Sequence, residues 1–174
     1  MTSKKNENKE TSLSKNLILA KELVYEPCEF DCTDFQSESE SAEYDAFDFK
    51  IDGKQVKYRS AKITPTKTGQ FVTLWKRKPK GTIEPFHDSD IIDFVIISVR
   101  KEDFLGQFIF PKAVLLEKGI FSTEKKEGIR ATRVYPPWDE TTSKQAQKTQ
   151  KWQLDYFYSI NPKKDLEQFK KLIR

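Results

Sequence analysis

Four consecutive large apolar side chains, Phe94-Val95-Ile96-Ile97, constrain this 174-residue chain more than any other feature. Neighbouring side chains of a strand point to opposite faces, so an unbroken apolar run needs cover on both sides. The segment Asp93 to Arg100 therefore predicts a central strand of a layered sheet. Gly106 to Phe110 follows at hairpin distance and reads as its partner.

Shorter patterns surround this strand. Phe47, Phe49 and Ile51 alternate with Asp48 and Lys50, the pattern of a half-buried strand. Asp52-Gly53 is a hairpin turn signal, and Val56 and Tyr58 alternate with Lys57 and Arg59 on the return strand. After a turn at Pro65 to Gly69, Gln70 to Arg77 reads as a further strand, closed by the basic cluster Lys76 to Lys80. Strands 47–75 and the run 94–97 are expected in one mixed sheet. Ala113 to Lys118 predicts a short helix behind Pro111, ended by Gly119. Ile129 to Tyr135 predicts a strand stopped by Pro136-Pro137.

Helices are expected at both ends. Ser12 can cap a helix to about Val24, with Leu13, Leu17, Ala20 and Val24 on one face and Pro27 as its stop. A long helix is expected over Thr142 to Ile160, and a last one after Asn161-Pro162 with Leu166, Phe169 and Ile173 inward. Residues 1–10 read as a disordered tail, and 11–174 as a single domain with an acidic connecting loop, a flap or lid, at about 27–43. The order implies an α+β domain: a mixed sheet with flanking helices.

Charge is distributed unevenly. Residues 1–60 carry 9 Lys/Arg against 13 Asp/Glu, and residues 61–174 carry 22 against 14. Nine carboxylates and no Lys or Arg lie between Glu26 and Asp48. The basic remainder, interleaved with aromatics, is a surface that attracts phosphate backbones. No apolar run is long enough to cross a membrane, and the polar first residues predict no secretory signal, hence a cytoplasmic protein. Two cysteines, Cys28 and Cys32, and one histidine, His87, fall short of a four-ligand zinc set. No Gly-rich phosphate loop occurs.

Several side chains invite a functional reading. Arg133 shares a strand face with Ile129 and Ala131, so it either pairs with Asp90, Asp93 or Asp139 or receives an anion such as phosphate. Gln153 lies inside an apolar helix arc with Gln150 at its edge; it either bonds a strand edge or faces a polar cavity shared with Arg133, near Trp138 and Lys112. Trp138 sits on a stiff segment and is a candidate for stacking on unpaired bases.

The stretches GQFVTLWKR (Gly69 to Arg77), DFVII (Asp93 to Ile97), GQFIFPK (Gly106 to Lys112), RVYPPWD (Arg133 to Asp139) and QAQKTQKWQLDYF (Gln145 to Phe157) resemble the MepB family. They come in the family's order and span Gly69 to Phe157. The resemblance implies a bacterial cytoplasmic protein, in some species encoded beside a multidrug efflux pump and its regulator. It also implies a restriction-endonuclease-like fold, that of the PD-(D/E)XK endonucleases, and nucleic-acid binding.

That nuclease chemistry needs one carboxylate and then an acid-x-Lys triplet on a neighbouring strand. Asp88, Asp90 and Asp93 are candidate acids, but Gln107 to Lys112 holds no carboxylate. Asp52-Gly53-Lys54 falls in a turn and Glu124-Lys125-Lys126 in a charged loop. The expectation is therefore a non-catalytic protein that binds RNA or single-stranded DNA through Lys76, Arg77, Lys112, Arg130, Arg133, Tyr135, Trp138, Lys148, Gln150 and Gln153. It requires no cofactor and no metal. The alternatives are a magnesium-dependent nuclease using Asp90, Asp93 and Lys112, or a sensor of small molecules or anions lined by Arg133, Gln150 and Gln153.

Overall fold

The computed structural model describes residues 14–174. The expected tail, the Ser12 cap and Leu13 lie outside them. Ser14 opens helix α1 (Lys15–Ala20), its hydroxyl accepting the Leu17 N–H, and a π-helical turn over Lys21–Tyr25 continues it. Leu17, Ala20 and Val24 are buried, the face their spacing predicts.

Eleven strands follow among the described residues: β1 (Cys32–Ser37), β2 (Phe47–Ile51), β3 (Lys54–Ser60), β4 (Lys62–Ile63), β5 (Gln70–Thr73), β6 (Trp75–Arg77), β7 (Ile83–Pro85), β8 (Phe94–Lys101), β9 (Phe104–Pro111), β10 (Ala131–Val134) and β11 (Phe157–Asn161). Helices α2 (Lys112–Glu117), α3 (Lys144–Gln153) and α4 (Leu166–Ile173) complete the order. The main sheet runs β1-β2-β3-β8-β9-β11. β3 and β8 are parallel, with Tyr58 opposite Ile96, and the other pairs are antiparallel.

The apolar run of β8 is divided between two cores. Phe94 and Ile96 face Leu17, Tyr25, Phe49, Phe169 and Ile173, beneath α1 and α4. Val95 and Ile97 face Val72, Leu74, Phe86, Leu115 and Val134 on the other side. That second layer holds α2, α3 and two small sheets, β10-β5-β4 and β6-β7. Among the described residues no helix is long and apolar enough to cross a membrane.

Four expectations change. The acidic stretch 27–43 is not a free loop: it contains β1, whose Cys32 and Phe35 pack on the first core. A register shift between Thr33 and Gln36, with Asp34 at φ 59°, hides the alternation. Charges on such an edge strand block edge-to-edge pairing. Strands 70–77 do not join the main sheet; they divide at Leu74 into β5 and β6 of the small sheets. The long helix ends at Gln153, and after a 3₁₀ turn over Leu154–Tyr156 the chain becomes β11, with Phe157 opposite Phe108. Gly106 makes this possible: a Cβ there would lie 2.3 Å from Cζ of Phe157. The last helix starts at Leu166, with Asp165 accepting the Gln168 N–H, rather than at Asn161-Pro162.

Candidate active site

The Asp52-Gly53 turn, with both residues at positive φ, sets the β2–β3 register and places Asp48 directly opposite Lys57. Both point away from the first core. Lys57 Nζ lies 2.9 Å from Asp48 Oδ1 and 3.0 Å from Oδ2, and 2.6 Å from Glu38 Oε1. Glu38 follows β1 and donates its N–H to Ala46 O. Two carboxylates thus converge on one ammonium, which itself sits 5.2 Å from the Phe86 ring centroid.

Arg59, two residues along the same face, is fully buried. Its Nη1 donates to Tyr58 O at 2.8 Å and its Nε to Thr73 O at 3.3 Å, and its Nη2 meets Glu38 Oε2 at 3.3 Å. The second layer fixes the Glu38 segment as well. Thr73 donates its hydroxyl to Ser41, and Arg77 grips Glu40 with Nε and Nη2 at 2.7 and 3.2 Å.

The two carboxyls are driven apart in acidity. Burial opposes charge on Glu38, but a hydrogen bond from Asp48 and the cations Arg59 and Lys57 outweigh it and hold Glu38 at about 2. Burial and the hydrogen bond to Glu38 push Asp48 up to about 6, against the pull of Lys57. Glu38 is thus the stronger acid of the pair and Asp48 the weaker. Lys57 directs its hydrogen bond to Asp48 Oδ2, and Oδ1 is buried without a directed partner. The side chains of Glu38, Lys57 and Asp48 are 20%, 20% and 35% exposed, so the cluster opens to solvent on one side.

Among the described residues no three of His, Cys, Asp and Glu gather as metal ligands. A cation here would draw on the two carboxylates and neutral oxygens. Gln55 precedes Lys57 by two residues on β3, so it shares that face and offers an amide oxygen where an acid-x-Lys triplet has its acid.

Asp90, Lys76 and Lys112, expected from the sequence, do meet. Lys76 Nζ donates to Asp90 Oδ1 at 2.7 Å and Lys112 Nζ to Asp90 O at 2.6 Å. Asp90 Oδ2 also closes a turn on His87 N, while Asp93 Oδ2 accepts the Gln55 N–H. These carboxylates are occupied by local structure.

The Arg133 group differs from expectation. Val134 is the buried residue of β10, and Ile129 is exposed, so Arg133 lies on the outer face. It packs 5.7 Å from the Phe71 centroid and donates to Thr64 Oγ1 at 2.8 Å, not to a carboxylate. Gln153 is buried and takes the first of its two expected roles, at the strand edge: Nε2 donates to Arg133 O and Oε1 accepts the Tyr135 N–H, each at 2.9 Å. Gln150 donates to Pro136 O and Asp139 O. The protein's own backbone thus takes the amides expected to line a ligand cavity. Arg130 pairs with Glu127, Lys148 is exposed on α3, and Trp138 stacks on Phe104 with ring centroids 5.4 Å apart.

Asp48, Lys57 and Arg59 were visible in the sequence only as a solvent face. Counting out from the Asp52-Gly53 turn does give the Asp48–Lys57 pair. Nothing local announces Glu38, which arrives through the pairing of β1.

A family model described as MepB-like matches residues 38–159. The crystal structure of MepB aligns with 37% identity and a TM-score of 0.76, over 86% of this chain and 99% of that one. The structure of a bacterial homing endonuclease, I-Ssp6803I, aligns with 13% identity and a TM-score of 0.44, over 92% of this chain and 99% of that one, a likeness too remote to carry an argument. No match was found among curated proteins. The mixed α+β fold with flanking helices is the one expected, and the chain belongs to the MepB-like family.

Proposed function

We propose that this protein binds RNA or single-stranded DNA and hydrolyses it at the Glu38–Asp48–Lys57 cluster. The observation that supports this reading is the convergence of two carboxylates on one ammonium, on paired elements of the main sheet. A magnesium-class cation fits the donor chemistry, since Glu38, Asp48 and the Gln55 amide are hard oxygen donors. Such a cation, when bound, supplies a Lewis acid and a more acidic water. Glu38 and Asp48 would hold it. Lys57 would neutralise charge on the scissile phosphate and orient the attacking water. Arg59 keeps Glu38 anionic and in place. The setting implied by the family resemblance is the bacterial cytoplasm, in some species with the gene beside that of a multidrug efflux pump and its regulator.

The non-catalytic reading has one observation on its side: Gln55 stands where an acid-x-Lys triplet has a carboxylate. One experiment separates the two. End-labelled RNA, single-stranded DNA and duplex are incubated with the full chain, with and without Mg²⁺. Cleavage that needs Mg²⁺ and is lost in Asp48→Asn supports hydrolysis. Salt-sensitive binding without cleavage of any substrate returns the non-catalytic reading. Absence of binding overturns both.

A further inference from the structure

A groove of about 470 Å³ lies between the loop 63–69, Lys101 at the end of β8, and Trp138 to Glu140. We propose that it is a second contact for single-stranded nucleic acid, taking one unpaired base and its flanking phosphates. The proposal rests on the reading that the protein engages nucleic acid, but not on cleavage.

The groove is preorganised. Arg133 staples both ends of its loop, donating to Thr64 Oγ1 and to Thr68 O and Gly69 O. Gly69 has φ 84°, and a Cβ there would lie 2.7 Å from the Tyr135 ring, so Tyr135 seats the base of the loop. Burial raises the pKa of the Asp139 carboxyl, against the pull of the Lys101 ammonium. A wall already held needs little ordering when a ligand arrives.

The surface of the groove combines what stacking on a nucleotide requires. Trp138 is braced by Phe104 and Phe157. Phe104 is 43% exposed and Ile63 57% exposed. Trp138 keeps its Nε1–H buried without an acceptor, a cost that a phenylalanine packed there would avoid. Lys67 and Lys101 are exposed, and neither forms an ion pair with a described carboxylate. Asp139 and Glu140 line the same groove, and Lys101 acts on the Asp139 carboxyl, so Lys67 is the cation that no groove carboxylate is shown to engage. An aromatic platform beside the two lysines fits a base with its phosphates, and a base inside a duplex cannot reach such a platform.

The test uses the full chain in EDTA, so that cleavage plays no part, with fluorescein-labelled oligouridine, oligothymidine and a duplex of equal length. The double variant Lys67→Ala/Lys101→Ala should bind single strands about tenfold more weakly. Its slope of log affinity against log salt should be shallower by about 1.4, the contribution of two single-strand phosphate contacts. Trp138→Leu should weaken binding about five- to a hundredfold. The Trp138 indole N–H resonance in the wild-type chain, assigned by its loss in Trp138→Phe, should shift on saturation. An unmoved resonance, a double variant that binds like wild type, or duplex bound as tightly as single strands each overturns the proposal. If these shifts occur and Mg²⁺ never induces cleavage, the groove stands and hydrolysis falls. If cleavage is found and the double variant binds normally, hydrolysis stands and the groove falls.

Discussion

The guanidinium of Arg59, wholly removed from solvent, meets Glu38 Oε2 at 3.3 Å through Nη2, while backbone carbonyls accept from Nη1 and Nε. A buried cation with one carboxylate partner makes that carboxylate costly to remove. Glu38→Gln should destabilise the fold by about 3 kcal/mol, because the charge of Arg59 then loses its direct carboxylate partner and keeps only carbonyls and the more distant Asp48. Arg59→Met removes the charge together with its need for a partner and should cost less. Urea unfolding of both variants checks the order; equal effects would mean that water reaches Arg59.

Asp48 makes a prediction about pH. Its carboxyl is pushed up to about 6 in the fold, against an ordinary value of 3.8. The unfolded chain therefore loses this proton first as pH rises, and Asp48 lowers stability progressively between about pH 4 and 6. Glu38 acts oppositely: held at about 2, it contributes stability above about pH 4.5 that is lost as pH falls toward 2. Asp48→Asn should abolish the decline between pH 4 and 6, a difference on the order of 1 kcal/mol once solvent screening of this partly exposed group is allowed for. Thermal melts across that range measure it. An unchanged slope in the variant would place the proton elsewhere.

The two carboxylate groups can be told apart by activity. If hydrolysis occurs at the cluster proposed, Asp48→Asn and Lys57→Ala should each reduce Mg²⁺-dependent cleavage by about a hundredfold or more, the scale of a lost general acid–base or charge-stabilising group. Asp90→Asn should leave kcat within a few fold, since Asp90 ties Lys76 and the His87 turn. Single-turnover rates give the comparison, and the reverse pattern would move the centre to Asp90.

Gln153 predicts a purely structural effect. Its amide is the link between α3 and the end of β10, through Arg133 O and Tyr135 N. Gln153→Leu keeps the volume but leaves two backbone groups unpaired, which should cost about 2–4 kcal/mol. Hydrogen exchange at the Tyr135 amide should accelerate with it. Protection unchanged at Tyr135 would contradict the assignment.

Periodicity alone, together with glycine and proline positions, determined the centrality of Phe94 to Ile97, the β2–β3 hairpin and the α+β class. These are short-range properties: a strand shows its faces every second residue, and Asp52-Gly53 encodes its own turn. The Asp48–Lys57 pair was reachable by counting out from that turn. Only the tertiary structure decided that the pair matters. Lys57 and Arg59 have the polar alternation of a solvent face, and it is the packing of β5 and the residue after β7 across them, through Thr73 O and Phe86, that removes Arg59 from water. Glu38 reaches the cluster through β1, whose register shift conceals its pattern. Tyr156 to Ile160 continues a helical apolar arc, yet Phe157 and the residues after it form a strand because Gly106, on the distant β9, leaves room for the Phe157 ring. Burial and pairing of this kind depend on which distant surface arrives, and a window of neighbouring residues carries no record of that.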